Sequence, residues 1–273
     1  MRSQPRPRWA RAPAMARLIL ACYRANIQTE LEYRVDFAMR IVASLLGLVT
    51  TFGGLAVAFT YTRQIAGWTF PEALVLLAVY YLMVGIAEMF IAPGMRQVMG
   101  QVREGTFDFV LLKPVPPQLL ATFRVVDFWR ATDVLLGLAL SIYTTTRLGL
   151  HVGLRSAIFF AMTLVAGALV IYALWLVLAT LTFWFIRIEN IEQIVWLGFE
   201  AGRYPVRIYP AWLQLSLRYI IPVAFIITTP AQALIGRLSA FGLTTALAVS
   251  ICSVIASSAF FRFGLRYYTG ASA

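Results

Sequence analysis

The sequence predicts an all-α integral membrane protein. Six transmembrane helices are expected, with an N-terminal interfacial helix, short cytoplasmic helices between the second and third crossings, and an external re-entrant hairpin. Three observations predict this. Of 273 residues, 60% are apolar and only 13% are charged, with mean hydropathy +0.78, whereas soluble domains run about half apolar and about a quarter charged. Apolar runs of about 20 residues, the length that crosses ~30 Å of hydrocarbon, recur along the chain. The 23 basic residues against 12 acids, a net charge of +11, cluster between those runs rather than within them, so the excess belongs to a membrane face and its lipids, not to nucleic acid.

The elements follow in order. Residues 1–14 carry Arg2, Arg6, Arg8 and Arg11 among prolines and read as a disordered basic tail. In 15–34, Leu18, Ile19, Cys22, Tyr23, Ile27 and Leu31 form a helical stripe with most charges off it, the pattern of a helix lying in the interface. A membrane domain of six crossings then occupies 35–268. Its first span is Val35 to Tyr61; the second is Phe70 to Ala92, closed by Pro93-Gly94. The block 95–124 is too charged to cross and reads as a cytoplasmic loop of two short helices, broken at Gly105 and at Pro114, Pro116 and Pro117. The third span is Ala131 to Leu148 and the fourth Ser156 to Phe185. A fifth crossing, Ile188 to Tyr204, contains Glu189, Asn190, Glu192, Gln193 and Glu200 and so must face protein or water. Residues 205–236, interrupted by Arg218, Pro222 and Pro230, suit an external re-entrant region. The last span is Leu238 to Phe263. With six crossings, 16 basic residues fall on the side of both termini and 7 on the other, which puts the termini in the cytoplasm.

The chemistry that the sequence lacks narrows the function. Lys113 is the single lysine and stands between Leu112 and Pro114, so the chain has no G-x-x-x-x-G-K-[ST] phosphate loop. Cys22 and Cys252 lie far apart, and His151 is the single histidine, which leaves no metal site and no nucleophile–histidine pair. No catalytic residue is expected. Three groups remain as candidate sites. The loop residues Arg103, Glu104, Gly105, Phe107 and Asp108 offer charge and apolar knobs to a docking partner, or else sit in lipid headgroups. Glu189, Asn190, Glu192, Gln193 and Trp196 line a translocation pathway or dimer interface, or else bond helix to helix. Glu88 is an intramembrane charge, read either as a coupling carboxylate of an ion- or proton-coupled carrier or as a buried group paired with a neighbouring chain or with arginine near the cytoplasmic face.

The order of elements resembles the type-2 ABC export permeases. Arg103-Glu104-Gly105-Thr106-Phe107-Asp108 running into Leu111-Leu112-Lys113-Pro114 is similar to that family's coupling segment. Tyr204-Pro205 and Tyr209-Pro210, followed by Ile221-Pro222 and Thr229-Pro230-Ala231, resemble the external region of its daunorubicin-resistance-like, viologen-exporter-like branch. The resemblance covers roughly residues 15 to 268. It implies a multi-pass subunit of a bacterial inner membrane that pairs with a second permease chain, the same or paralogous, and with separate ABC ATPase subunits. ATP and magnesium would sit on those partners, with no cofactor on this chain. The cargo would be amphiphilic or hydrophobic, of drug, lipid or glycan class.

Overall fold

A computed structural model describes residues 34–113, 116–123, 125–147, 152–185 and 189–268. The basic tail and nearly all of the interfacial helix therefore lie outside the described residues, as does His151. The regular elements among the described residues are all helical, with no strand. Helix α1 is Arg34–Tyr61, α2 is Phe70–Arg103, α3 is Asp108–Leu111 and α4 is Pro117–Phe123. They are followed by α5 (Ala131–Arg147), α6 (Leu154–Leu181), α7 (Glu189–Ala201), α8 (Ala211–Ile220), α9 (Ala224–Leu234) and α10 (Ala240–Gly264).

Helix α2 is the axis of the fold. Thr69 caps it in a reciprocal box with Glu72, and Pro71 occupies the first turn, where a missing N–H costs nothing. The expected stop at Pro93-Gly94 does not occur, and the helix runs on to Arg103, 34 residues in all. Proline normally breaks a helix by leaving the carbonyl four residues earlier without a donor. Here that carbonyl belongs to Met89, and it accepts instead from the backbone N–H of Asp127 at 3.0 Å. A π-turn over Ala87–Ile91 absorbs the local widening.

Helix α5 lies against α2 at backbone contact. A Cβ on Gly137 would stand 2.5 Å from the Leu82 nitrogen and 2.8 Å from the Ala78 oxygen, so only glycine permits this approach. Helices α6 and α10 pack side by side and run in the same direction, since Gly236 before α10 faces Ser156 and Gly264 at its end faces Thr180. Helices α8 and α9 form a pair bent by 76°. The bend falls at Ile221, whose extended backbone (φ −112°, ψ 92°) is what a following proline imposes.

Four helices, α1, α2, α6 and α10, are long and apolar enough to cross a membrane, and a fifth span results if the bent pair counts as one. The expected six are not reached by this measure. Helix α5 has 17 residues and α7 only 13, about 20 Å for the latter against a ~30 Å core.

Candidate functional site

Three separate stretches of chain meet in a cluster of buried charge. Glu88, in the π-turn of α2, is 3% exposed. The uninterrupted helix carries Arg96 two turns further on, and helical side chains lean toward the N-terminus, so the guanidinium reaches back to the carboxylate. Its Nη1 and Nη2 donate to the two Glu88 oxygens at 3.1 and 2.8 Å, the fork geometry that suits arginine. Its Nε donates to Glu192 on α7 at 2.6 Å. Arg130, just before α5, stands 3.4 Å from Glu88 and 3.4 Å from Asp133. Three carboxylates thus hold two guanidinium groups, and each arginine has two acidic partners. A buried charge persists only when it is paired in this way. The Arg96 guanidinium also lies 5.2 Å from the ring centre of Trp175 and 6.0 Å from that of Trp196, a favourable arrangement for a cation over aromatic faces.

The cluster lines a cavity of about 420 Å³. Beyond Glu88 and the two arginines, the wall includes Tyr80, Trp196 and Arg203. Arg203 sits 5.0 Å over the Tyr80 ring and 3.3 Å from Glu200. Tyr80 is ten residues into α2 and Glu88 eighteen, so the polar wall extends from about 15 Å to about 27 Å along the helix. A charge-lined recess therefore runs along about 12 Å of α2.

At the end of α2, Gly105 adopts φ +70°. The Thr106 N–H donates to the Gln101 carbonyl at 2.9 Å and the Gly105 N–H to Val102 at 3.2 Å, the paired bonds of a Schellman stop that favours glycine at this position. Arg103 and Glu104 are exposed at the turn and Asp108 is half-buried. The structure corrects one expectation here, because Phe107 does not project toward a partner. It is fully buried, with its ring centre 5.9 Å from Phe183 and 5.4 Å from Tyr268. The exposed apolar side chains of this segment are Phe109, Leu111 and Leu112.

The profile of the ABC-2 family transporter protein matches residues 45–272. The chain belongs to the ABC-2 transporter family. No curated protein sequence matches it. As an ABC-2 membrane component the chain is a multi-pass permease subunit of an ABC transporter, a transport component, and the family works with ABC ATPase partners, often as dimers.

Among the residues singled out in this ABC-2 permease from sequence, Glu88, Glu192 and Trp196 come together around Arg96. Gln193 is exposed on α7. Glu189 and Asn190 fall in the first turn of α7, where the side chains lie outside the described set. The site residues missed by sequence reasoning are Arg96, Arg130, Asp133 and Arg203. Arg96 and Arg130 were legible only as loop charges, because Pro93-Gly94 read as the end of the span. The signal that could have found Arg96 is its spacing from Glu88, eight residues or about two turns along one helix face.

Proposed function

We propose that this chain is the permease of an ATP-driven exporter that moves an amphiphilic or hydrophobic substrate outward across a bacterial inner membrane, with both termini cytoplasmic. It would pair with a second permease chain and with separate subunits that hydrolyse ATP. The family match over residues 45–272 carries this reading. Its mechanical part is supported by α2, a single rod from the exposed turn at Arg103 and Glu104 back to Arg96, seven residues or about 10 Å away. A push delivered at that turn would bear directly on the ion cluster, and the cluster joins α2 to α5 and α7 around the recess. Loosening the Arg96–Glu192 contact would release α7 and widen the recess; restoring it would close the wall. The charged wall suits the polar head of an amphiphile, and the aromatic faces of Trp175 and Trp196 suit a flat apolar group.

The carrier reading built on Glu88 loses support from the same geometry. A coupling carboxylate must pick up and release its ion, whereas Glu88 is clamped between two guanidinium groups. The test is purification of the full chain from its native membrane in mild detergent, followed by mass spectrometry. ABC ATPase subunits in near-stoichiometric amount are expected. Recovery of the permease alone, with no ATP-hydrolysing protein at any detergent strength, would overturn the assignment.

A further inference from the structure

A second cavity, of about 640 Å³, lies between α2, α4, α6 and α10. It shares no lining residue with the charged recess. Most of its wall is apolar, including Phe90, Leu119, Val165 and Leu169, and none of its lining residues is acidic. One end is different. Gln118 donates its amide hydrogens to Tyr172 Oη and to Ser258 Oγ, each at 2.8 Å. Ser258 accepts there, and among the described residues nothing takes its own hydroxyl hydrogen, which is left to donate into the groove. One turn further along α10, Arg262 stands exposed at the rim and, among the described residues, has no acidic partner.

These groups are layered along the axes of α6 and α10. Because α6 and α10 run together, depth can be counted along either. Tyr172 and Ser258 are each eighteen residues from the start of their helices, about 27 Å, close to the edge of a ~30 Å hydrocarbon layer. Arg262 lies at about 33 Å, past that length and where headgroups would stand, and Val165 and Leu169 at about 16 and 22 Å, where acyl chains would. Cation, hydroxyl donor and apolar wall thus follow the order of phosphate, ester and acyl chain.

We propose that this groove is a binding site for one bilayer phospholipid with an anionic headgroup. The acyl chain lies among Phe90, Leu119, Val165 and Leu169, an ester carbonyl accepts from Ser258, and Arg262 meets the phosphate. An arginine with no acidic partner among the described residues, at the rim of a wall without acids, selects against a net-neutral headgroup, and the volume falls in the range of small-ligand sites. The lipid is bound outside the recess assigned to transport, so the inference requires membrane insertion but not export.

Native mass spectrometry of the full chain, released from nanodiscs of equal parts phosphatidylcholine and phosphatidylglycerol, tests it. The parent should retain phosphatidylglycerol about fivefold over phosphatidylcholine, the factor one interfacial arginine supplies at an anionic headgroup. Arg262→Gln should keep a bound lipid and lose the preference. Ala168→Phe, which fills the apolar part of the groove, should lose both lipids. Retention in the nanodisc's own ratio by the parent, an unchanged preference in Arg262→Gln, or a non-phospholipid amphiphile occupying the site would each overturn the proposal. None of these outcomes alters ATPase copurification, so the failure of one reading is distinguishable from the failure of the other.

Discussion

Glu88→Gln removes the acid at the centre of the ion cluster, and the structure sets what that should cost. Breaking a buried ion pair by deleting one member typically costs about 3–5 kcal/mol, because the survivor is left as an uncompensated charge. Here the survivors are better off. Arg96 keeps Glu192 and Arg130 keeps Asp133, and the two arginine side chains are 37% and 32% exposed, so water shares the burden. The expected cost therefore falls below that range, at about 2 kcal/mol. Arg96→Met is worse. Glu88 would retain only its 3.4 Å contact with Arg130, Glu192 would lose its one partner among the described residues, and the stacking over Trp175 would vanish. About 3–5 kcal/mol is expected for that change. The double variant removes a charge and its partner together, so its cost should fall short of the sum by about 1.5–2 kcal/mol. The assay is equilibrium unfolding in mixed micelles for the parent, both single variants and the double variant. Single-variant costs that add to within about 0.5 kcal/mol, or a neutral Glu88→Gln, would show that the cluster is not an energetic unit.

Other outcomes follow from the same geometry. Glu104→Arg changes an exposed side chain and should move stability by no more than about 0.5 kcal/mol, yet abolish substrate-stimulated ATP hydrolysis by the partner subunits in liposomes; undiminished stimulation would remove the α2 terminus as the coupling contact. Phe107→Ala should instead destabilise by about 3–5 kcal/mol in thermal unfolding, with Phe107→Leu costing much less, and a neutral alanine variant would contradict its place in the aromatic core. Gly137→Ala would ordinarily gain about 1 kcal/mol of helix propensity, but with backbone of α2 in the way it should lose about 1–3 kcal/mol; a stabilised variant would refute the close packing of α2 on α5. A cysteine introduced by Ser272→Cys should be protected from impermeant thiol reagent in intact cells, and rapid labelling would place the C-terminus outside.

Apolar length and local chain breaks were legible because they are local. The first, fourth and last spans were placed within a few residues of α1, α6 and α10, and both the turn at Gly105 and the break before Pro222 followed from single residues with restricted or permissive backbones. Pro93 was misread because its effect was decided elsewhere. Whether it ends α2 depends on a donor for the Met89 carbonyl, and Asp127, 34 residues beyond Pro93, supplies one. Phe107 shows the same limit. It sits amid charges in a loop-like stretch, and only the approach of Phe183 and Tyr268 makes it core.

The charge pattern carried two kinds of information that a tally along the chain could not separate. A basic residue counts toward orientation when it lies in a loop, but not when it neutralises an acid inside the membrane domain. Arg96 and Arg130 were counted with the cytoplasmic loop, yet both are committed to Glu88, Glu192 and Asp133. Arg203 was counted with the opposite face and instead lines the recess over Tyr80. Setting these three aside lowers the tally from 16 to 14 on one side and from 7 to 6 on the other, so the bias keeps its sign. The acids Glu88 and Glu192 announced that they needed partners, because an unpaired carboxylate in hydrocarbon is too costly to keep. Which arginines answered them depended on a helix that did not stop at its proline. That single backbone event turns two loop charges into the wall of a recess.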